Sequence, residues 1–344
     1  MPRTSFILLT LGLSLPLLAL LACGMGAAEV SPGEILAIVG HRLGLVEAEG
    51  FAAQQEAIVW VIRLPRVLMS LLVGASLALC GTAMQGLFRN PLADPSLIGV
   101  SAGAALAAAL VIVLIGPLLA EVEALLGLPV LPLATFAGAV GSTVLIFGLA
   151  REKRRTNVAT MLLAGIAINA LAGAGTGLLT YLADDAQLRS LTFWTLGSLG
   201  GANWSQTGWM AVATLLSLAL LLPVAKSFNA LSLGETEARH LGIPVEALKR
   251  RVIVATGLAV GASVAFCGLI GFVGLVVPHV LRLAGGAQHR YLLPASALGG
   301  AILLCAADTL ARTLVPPAEI PIGIVTAMVG APVFLGLLFQ QRKQ

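Results

Sequence analysis

Stretches of about twenty apolar residues recur from one end of this chain to the other, and no other feature constrains its fold as strongly. About twenty helical residues are what the hydrocarbon core of a bilayer demands. The runs lie near 5–28, 64–88, 96–115, 131–150, 157–182, 205–224, 252–271, 273–284, 291–312 and 321–339. Ten spans are therefore expected. The eighth is too short to cross alone and is expected as a half-helix packed inside the bundle, where irregular backbone is tolerated. Only 10% of the 344 residues are charged, against about 25% in soluble domains. Abundant glycine (39) and proline (17) also suit membrane helices, where small residues let neighbours approach closely. The fold class is an all-α polytopic membrane protein, read as one transmembrane domain over 1–344.

An even number of spans puts both termini on one side, and Lys and Arg decide which. With the termini inside, the inner segments hold Arg3, Arg89, Arg151, Lys153, Arg154, Arg155, Lys226, Arg239, Lys249, Arg250, Arg251, Arg282, Arg290, Arg342 and Lys343. The outside keeps Arg42, Arg63, Arg66, Arg189 and Arg312. That is fifteen against five of the 20 basic residues, a strong positive-inside bias. The net charge of +4 thus reflects topology, not nucleic-acid binding.

Val73–Gly81 (Val-Gly-Ala-Ser-Leu-Ala-Leu-Cys-Gly) recurs as Val260–Gly268 (Val-Gly-Ala-Ser-Val-Ala-Phe-Cys-Gly), with seven identities in nine positions. The first copy runs outside to inside and the second inside to outside. Inverted halves over about 60–182 and 250–339 are expected, a construction common in transporters. Leu20-Leu21-Ala22-Cys23 resembles a lipoprotein cleavage box, but the thin basic region before it favours a retained first span. The four cysteines lie in apolar runs without paired spacing and read as small packing residues.

Between the sixth and seventh spans lies a polar island at 226–251, and in it Gly234-Glu235-Thr236-Glu237-Ala238-Arg239-His240-Leu241-Gly242-Ile243-Pro244. It carries cap and breaker residues and is capable of forming a helix. A docking surface for a soluble partner on the inner side is expected there. The chain has no Gly-x-x-x-x-Gly-Lys-Ser/Thr loop, so ATP would have to be bound elsewhere. The histidines at 41, 240, 279 and 289 show no zinc-ligand spacing. No catalytic cluster and no metal site is expected.

Several motifs, in order along nearly the whole chain, resemble the permease family of ABC importers for iron-siderophores, cobalamin and haem. They are Arg63-Leu64-Pro65-Arg66, Gln85-Gly86, Arg89-Asn90-Pro91-Leu92-Ala93-Asp94-Pro95 and Gly99-Val100-Ser101-Ala102-Gly103. Further along come Gly271–His279, Leu293-Pro294, Asp308 and Glu319–Gly323. The resemblance implies a cobalamin-importer-like, type II permease that works as a homodimer in the bacterial inner membrane. It also implies two cytoplasmic ATPases, which bind ATP and Mg, and a periplasmic binding protein.

By that resemblance, Gly234, Glu235, Glu237, Arg239, His240, Leu241, Gly242 and Ile243 couple to the ATPase. Glu235, Glu237 and Arg239 would pair charges there, and Leu241, Gly242 and Ile243 would make an apolar contact. Arg63, Arg66 and Arg312 would dock glutamates of the binding protein, for which the planar guanidinium is suited; interfacial snorkelling is the competing explanation. Asn90 and Leu92, with Thr156 and Asn157, would form the cytoplasmic gate, although Asn90-Pro91 is also a plain turn signal. Asp308 is an ionisable group within a span, and Arg312 one turn away is a candidate structural partner.

The outer segment from Asp184 to Trp204 looks most like the haem-importing branch. Arg189, Phe193 and Trp194 would line the substrate entry, with Arg189 meeting a haem propionate or else serving as an interfacial anchor. Cobalamin and ferric siderophores remain alternatives, and an ion-coupled secondary transporter a distant one. That last class calls for several intramembrane carboxylates, and Asp308 is nearly alone.

Overall fold

A computed structural model describes residues 3–26, 28–47, 49–152, 155–315 and 318–341. Lys153, Arg154, Arg342 and Lys343, assigned above to the inner side, lie outside the described residues. Among the described residues, fourteen helices follow one another, short 3-10 turns aside: α1 (Arg3–Gly24), α2 (Pro32–Arg42), α3 (Ala53–Phe88), α4 (Val100–Ile115), α5 (Leu119–Leu126), α6 (Val130–Leu149) and α7 (Val158–Leu182). Then come α8 (Asp185–Leu196), α9 (Trp204–Leu231), α10 (Glu235–His240), α11 (Val245–Cys267), α12 (Val273–Gly285), α13 (His289–Thr313) and α14 (Ile322–Gln341). Each of the ten apolar runs coincides with one of these helices. Among the described residues, seven helices are long and apolar enough to cross a bilayer unaided, or eight if α4 and α5 form one bent span.

α12 has 13 residues, about 20 Å at the rise of a helix, against a hydrocarbon core of about 30 Å. It packs on α3 and α13 inside the bundle, as a half-helix should. α11 ends at Cys267 with Gly268 in a positive-φ conformation (φ 71°), and Phe272, also left-handed (φ 67°), stands immediately before α12.

Burial separates an inner layer from an outer one. The apolar windows of α3, α11 and α13 are 78%, 72% and 67% buried, whereas those of α1, α6 and α7 are only 11%, 22% and 17% buried. The inner helices meet through glycine. A Cβ on Gly74 of α3 would strike the Gly300 carbonyl of α13, and one on Gly300 would strike that of Gly74. Small residues at such a crossing let two backbones touch where lipid supplies no hydrophobic drive. The two copies of the nine-residue repeat lie on α3 and α11, and the first glycine of each sits at a crossing: Gly74 against Gly300, Gly261 against Ala139 and Phe136.

Two local features were not legible as such. The turn before α7 is a short antiparallel hairpin of β1 (Arg151–Glu152) and β2 (Arg155–Thr156). The polar island at 226–251 is also mostly packed. α9 continues through Pro223 to Leu231, because Phe228 is fully buried and stacks on the His289 ring at 5.1 Å. α11 has already begun at Val245. The free segment is therefore only 232–244.

Candidate functional site

Charged side chains gather at the two ends of the helix bundle. At the end expected to face inward, α10 is a six-residue helix whose one buried side chain is Ala238. Gly234 precedes it with φ 134°, a conformation only glycine adopts freely. The amide of Ile243 returns to the Ala238 carbonyl at 3.0 Å, and Ile243 packs against the main core. Thr236, Glu237, His240, Leu241 and Gly242 face outward, with Leu241 63% exposed. Leu233, 66% exposed just before the helix, adds a second apolar group to that face.

The expected partition of roles changes here. Glu235 and Arg239 do not face outward together with Glu237. They turn toward α11, where Arg239 bonds Glu235 at 3.1 Å, and Lys249 bonds the other Glu235 oxygen at 2.7 Å. Ile243 is likewise turned partly toward the core, next to the outward-facing Leu241.

Lys249 is fully buried. Its Nζ donates to the Thr156 carbonyl at 2.6 Å and lies 3.5 Å from Glu246 Oε1. The second Glu246 oxygen accepts the Thr156 amide at 2.9 Å, so one side chain from α11 grips each polar group of that residue's backbone. The next residue, Asn157, caps α7: its Oδ1 accepts the amides of Ala159 at 2.9 Å and Thr160 at 3.3 Å. A side-chain acceptor in that position satisfies amides with no partner in the helix. Beside these groups opens a cavity of about 860 Å³, whose lining includes Arg89, Arg155, Thr156, Asn157, Glu235 and Arg239. Two of the expected coupling residues, Glu235 and Arg239, thus share one cavity with two of the gate residues, Thr156 and Asn157.

The other gate residues form the turn after α3. Arg89 adopts a left-handed conformation (φ 50°), and the Asn90 amide donates to Gln85 at 3.1 Å, which closes the helix. Asn90 Oδ1 accepts the Leu92 amide at 2.9 Å, a local Asx turn. Leu92 is 39% exposed beside it.

At the opposite end, expected to face outward, Arg66 lays its guanidinium along Asp308, with contacts of 2.9 and 3.1 Å, and reaches Glu319 at 2.8 Å with its remaining nitrogen. Arg312, one turn from Asp308, stands 3.8 Å from it. The main partner of Asp308 is therefore Arg66, with Arg312 second. Arg312 donates to the Met25 carbonyl at 3.0 Å and to that of Ala22. Arg63 donates to Cys23 at 2.9 Å, to Gly24 at 3.0 Å and to Ala28. The last carbonyls of a helix lack intrahelical partners and carry its negative dipole end, so two arginines suit the end of α1. A π-helical turn at Ile58–Arg63 includes Arg63 and leads into Leu64 and Pro65 of α3. All three expected docking arginines are brought together, and all three are engaged within the chain.

α8 begins with a capping box in which Asp184 and Gln187 bond each other's backbone amides, and Gln187 also donates to the Val113 carbonyl at 3.2 Å. Arg189 and Phe193, four residues apart, share an exposed face, whereas Trp194 turns inward against the core. Beyond α8, Ser198 donates to Cys267 at 2.8 Å and Ile322 to Gly197 at 3.2 Å. A cavity of about 180 Å³ between these loops is lined by Arg66, Phe193, Ser198, Asp308 and Glu319, so the arginine network and the expected entry face adjoin.

Lys249 and Glu246 were missed from sequence, where Lys249 counted only as an inner charge. A signal existed. Val245, Lys249, Val252 and Thr256 fall on one helical face and are all buried, while Arg250 and Arg251 are exposed.

The FecCD transport family matches residues 14–340. The hemin transport system permease protein HmuU of Yersinia pestis is 50% identical over 291 residues, 83% of this chain and 84% of that one. The vitamin B12 import system permease protein BtuC of Salmonella typhimurium is 42% identical over 341 residues, 98% of this chain and 95% of that one. A solved structure described as an inward-facing metal-chelate type ABC transporter superposes with a TM-score of 0.82 at 34% identity, over 98% of this chain and 99% of the other. Matched along almost its whole length, this multi-pass membrane protein belongs to the FecCD transport family.

Proposed function

We propose that this chain is the membrane permease of an ATP-driven importer that carries haem from a periplasmic binding protein into the cytoplasm. The observation that carries the cargo is the 50% identity to a hemin permease over most of the chain. The exposed pair Arg189 and Phe193 agrees with it, since haem offers a flat apolar ring and two propionates. Cobalamin is the second reading, favoured by a match that is longer although lower, at 98% of the chain and 42% identity.

The chain acts as a homodimer in the bacterial inner membrane with both termini in the cytoplasm, as the charge bias supports. Two ATPase subunits seat on the outward face of α10 at Glu237, His240 and Leu241, and bind the ATP and Mg themselves. Motion there reaches the gate at Asn90, Leu92, Thr156 and Asn157. The binding protein docks at the outer rim. Its acidic side chains would compete for Arg66, Arg63 and Arg312, and Glu319, 46% exposed, is the partner most easily displaced. Arg189 and Phe193 then receive the cargo, while Trp194 holds α8 in place.

Uptake of haem, cobalamin and a ferric siderophore by the reconstituted complex in liposomes tests the reading. ATP-dependent haem accumulation is the expected result, while uptake of cobalamin alone would replace the cargo. Transport by the chain without its ATPase would overturn the mechanism.

A further inference from the structure

We infer that Lys249 is the positioning residue that ties the ATPase-docking helix to the cytoplasmic gate. The inference rests on the coupling role proposed for α10. Three separate elements end at this one ammonium group: α10 through Glu235 at 2.7 Å, α11 through Glu246 at 3.5 Å, and the gate hairpin through the Thr156 carbonyl at 2.6 Å. A lysine without exposure needs each of its donors satisfied, so these bonds hold a fixed geometry and not a fluctuating surface pair. Arg239 closes the arrangement, standing 3.1 Å from Glu235 and 3.5 Å from Glu246.

The direction of transmission follows from what each group is attached to. Glu235 lies at the start of a six-residue helix whose opposite face is exposed, so a partner pressing on Glu237 and Leu241 moves it as a unit. Thr156 is followed at once by Asn157, which caps α7. Glu246 holds the Thr156 amide at 2.9 Å while Lys249 holds its carbonyl. A shift of α10 therefore draws on the residue that anchors the cap of α7. The large cavity beside it, lined by Glu235, Thr156 and Asn157, leaves that movement room.

The test uses the full complex in liposomes, with Lys249→Met, which keeps the apolar stem and removes the charge, and Glu235→Gln, which keeps the shape. Haem delivered per ATP hydrolysed is measured, together with the nucleotide-induced change in distance between spin labels at Leu163→Cys on α7 and Leu283→Cys on α12. The expected result is a complex that assembles, with hydrolysis within about twofold of wild type. Haem per ATP falls at least about tenfold in Lys249→Met and several-fold in Glu235→Gln, and the distance change is lost. A merely structural role would lower yield without removing the distance change. Should Lys249→Met fail to assemble, Glu235→Gln decides by the same two readouts. Unaltered haem per ATP and an unaltered distance change sink the inference. Glu237→Arg, run in parallel, separates it from the reading beneath it. If Glu237→Arg uncouples and the two buried variants do not, only the relay fails; if Glu237→Arg leaves coupling intact, the docking role of α10 fails too.

Discussion

The outer and inner charge clusters use the same chemistry to opposite ends. Outside, Asp308 is 2% exposed on a helix of the inner layer, and one of its two arginine partners, Arg312, also holds carbonyls at the end of α1 beside Arg63. That cluster fastens long helices to one another. Inside, Lys249 joins one long helix to a six-residue helix and a two-residue strand, beside a cavity of about 860 Å³. An ionic network bonded into a packed seam resists motion. The same network strung between small elements with space beside them transmits it.

The sharpest way to break this contrast is Asp308→Ala. Removing one partner of a buried pair strands the other charge, at about 3–5 kcal/mol. Arg66 would keep only the half-exposed Glu319 and Arg312 only neutral carbonyls at the end of α1, so thermal unfolding in detergent should shift strongly and yield should fall. Little change would place the outer cluster among ordinary exposed pairs. Gly74→Ala comes next. A methyl group there meets the Gly300 carbonyl beneath the Arg66–Asp308 contact, and overpacking of this kind costs about 1–3 kcal/mol. The same thermal assay should detect it, and α3 and α13 should part enough to loosen the outer network.

Asn157→Ala probes the inner side with a smaller step. Loss of an N-cap acceptor costs about 1 kcal/mol. Global stability should barely move, while haem uptake falls several-fold because the fraying end of α7 lies at the gate; uptake equal to wild type would detach that cap from the gate. Glu319→Gln should be the mildest. Its side chain is 46% exposed, and exposed pairs contribute about 0–1 kcal/mol. Stability should stay unchanged, and the affinity of the binding protein for the complex should shift modestly in a titration.

Much of the architecture was legible in the apolar runs alone, because a bilayer sets both the length and the composition of a spanning helix. The short α12 followed from the same arithmetic. The sites were legible by neighbourhood more than by contact. The arginines at 63, 66 and 312 do lie together, but the attachment of Arg63 and Arg312 to the end of α1 joins residues some 40 and 290 positions apart in sequence, which no local pattern encodes. The turn of Glu235 and Arg239 away from Glu237 depends on which face of a six-residue helix meets α11. Ala238 and Ile243 are the apolar residues of the segment that pack inward there, and Ile243 had been expected in the contact with the ATPase. Lys249 was hidden by its neighbours Arg250 and Arg251, since a basic triplet at the end of a span reads first as topology.

The measurement that bears most directly on the whole account is haem delivered per ATP hydrolysed, compared between wild type and Glu237→Arg in liposomes carrying the ATPase and binding protein. Strictly ATP-dependent haem uptake by wild type, and continued hydrolysis with uptake reduced at least about tenfold in the variant, is the predicted result. Equal haem per ATP in the two, or haem uptake by this chain without ATP, would contradict it.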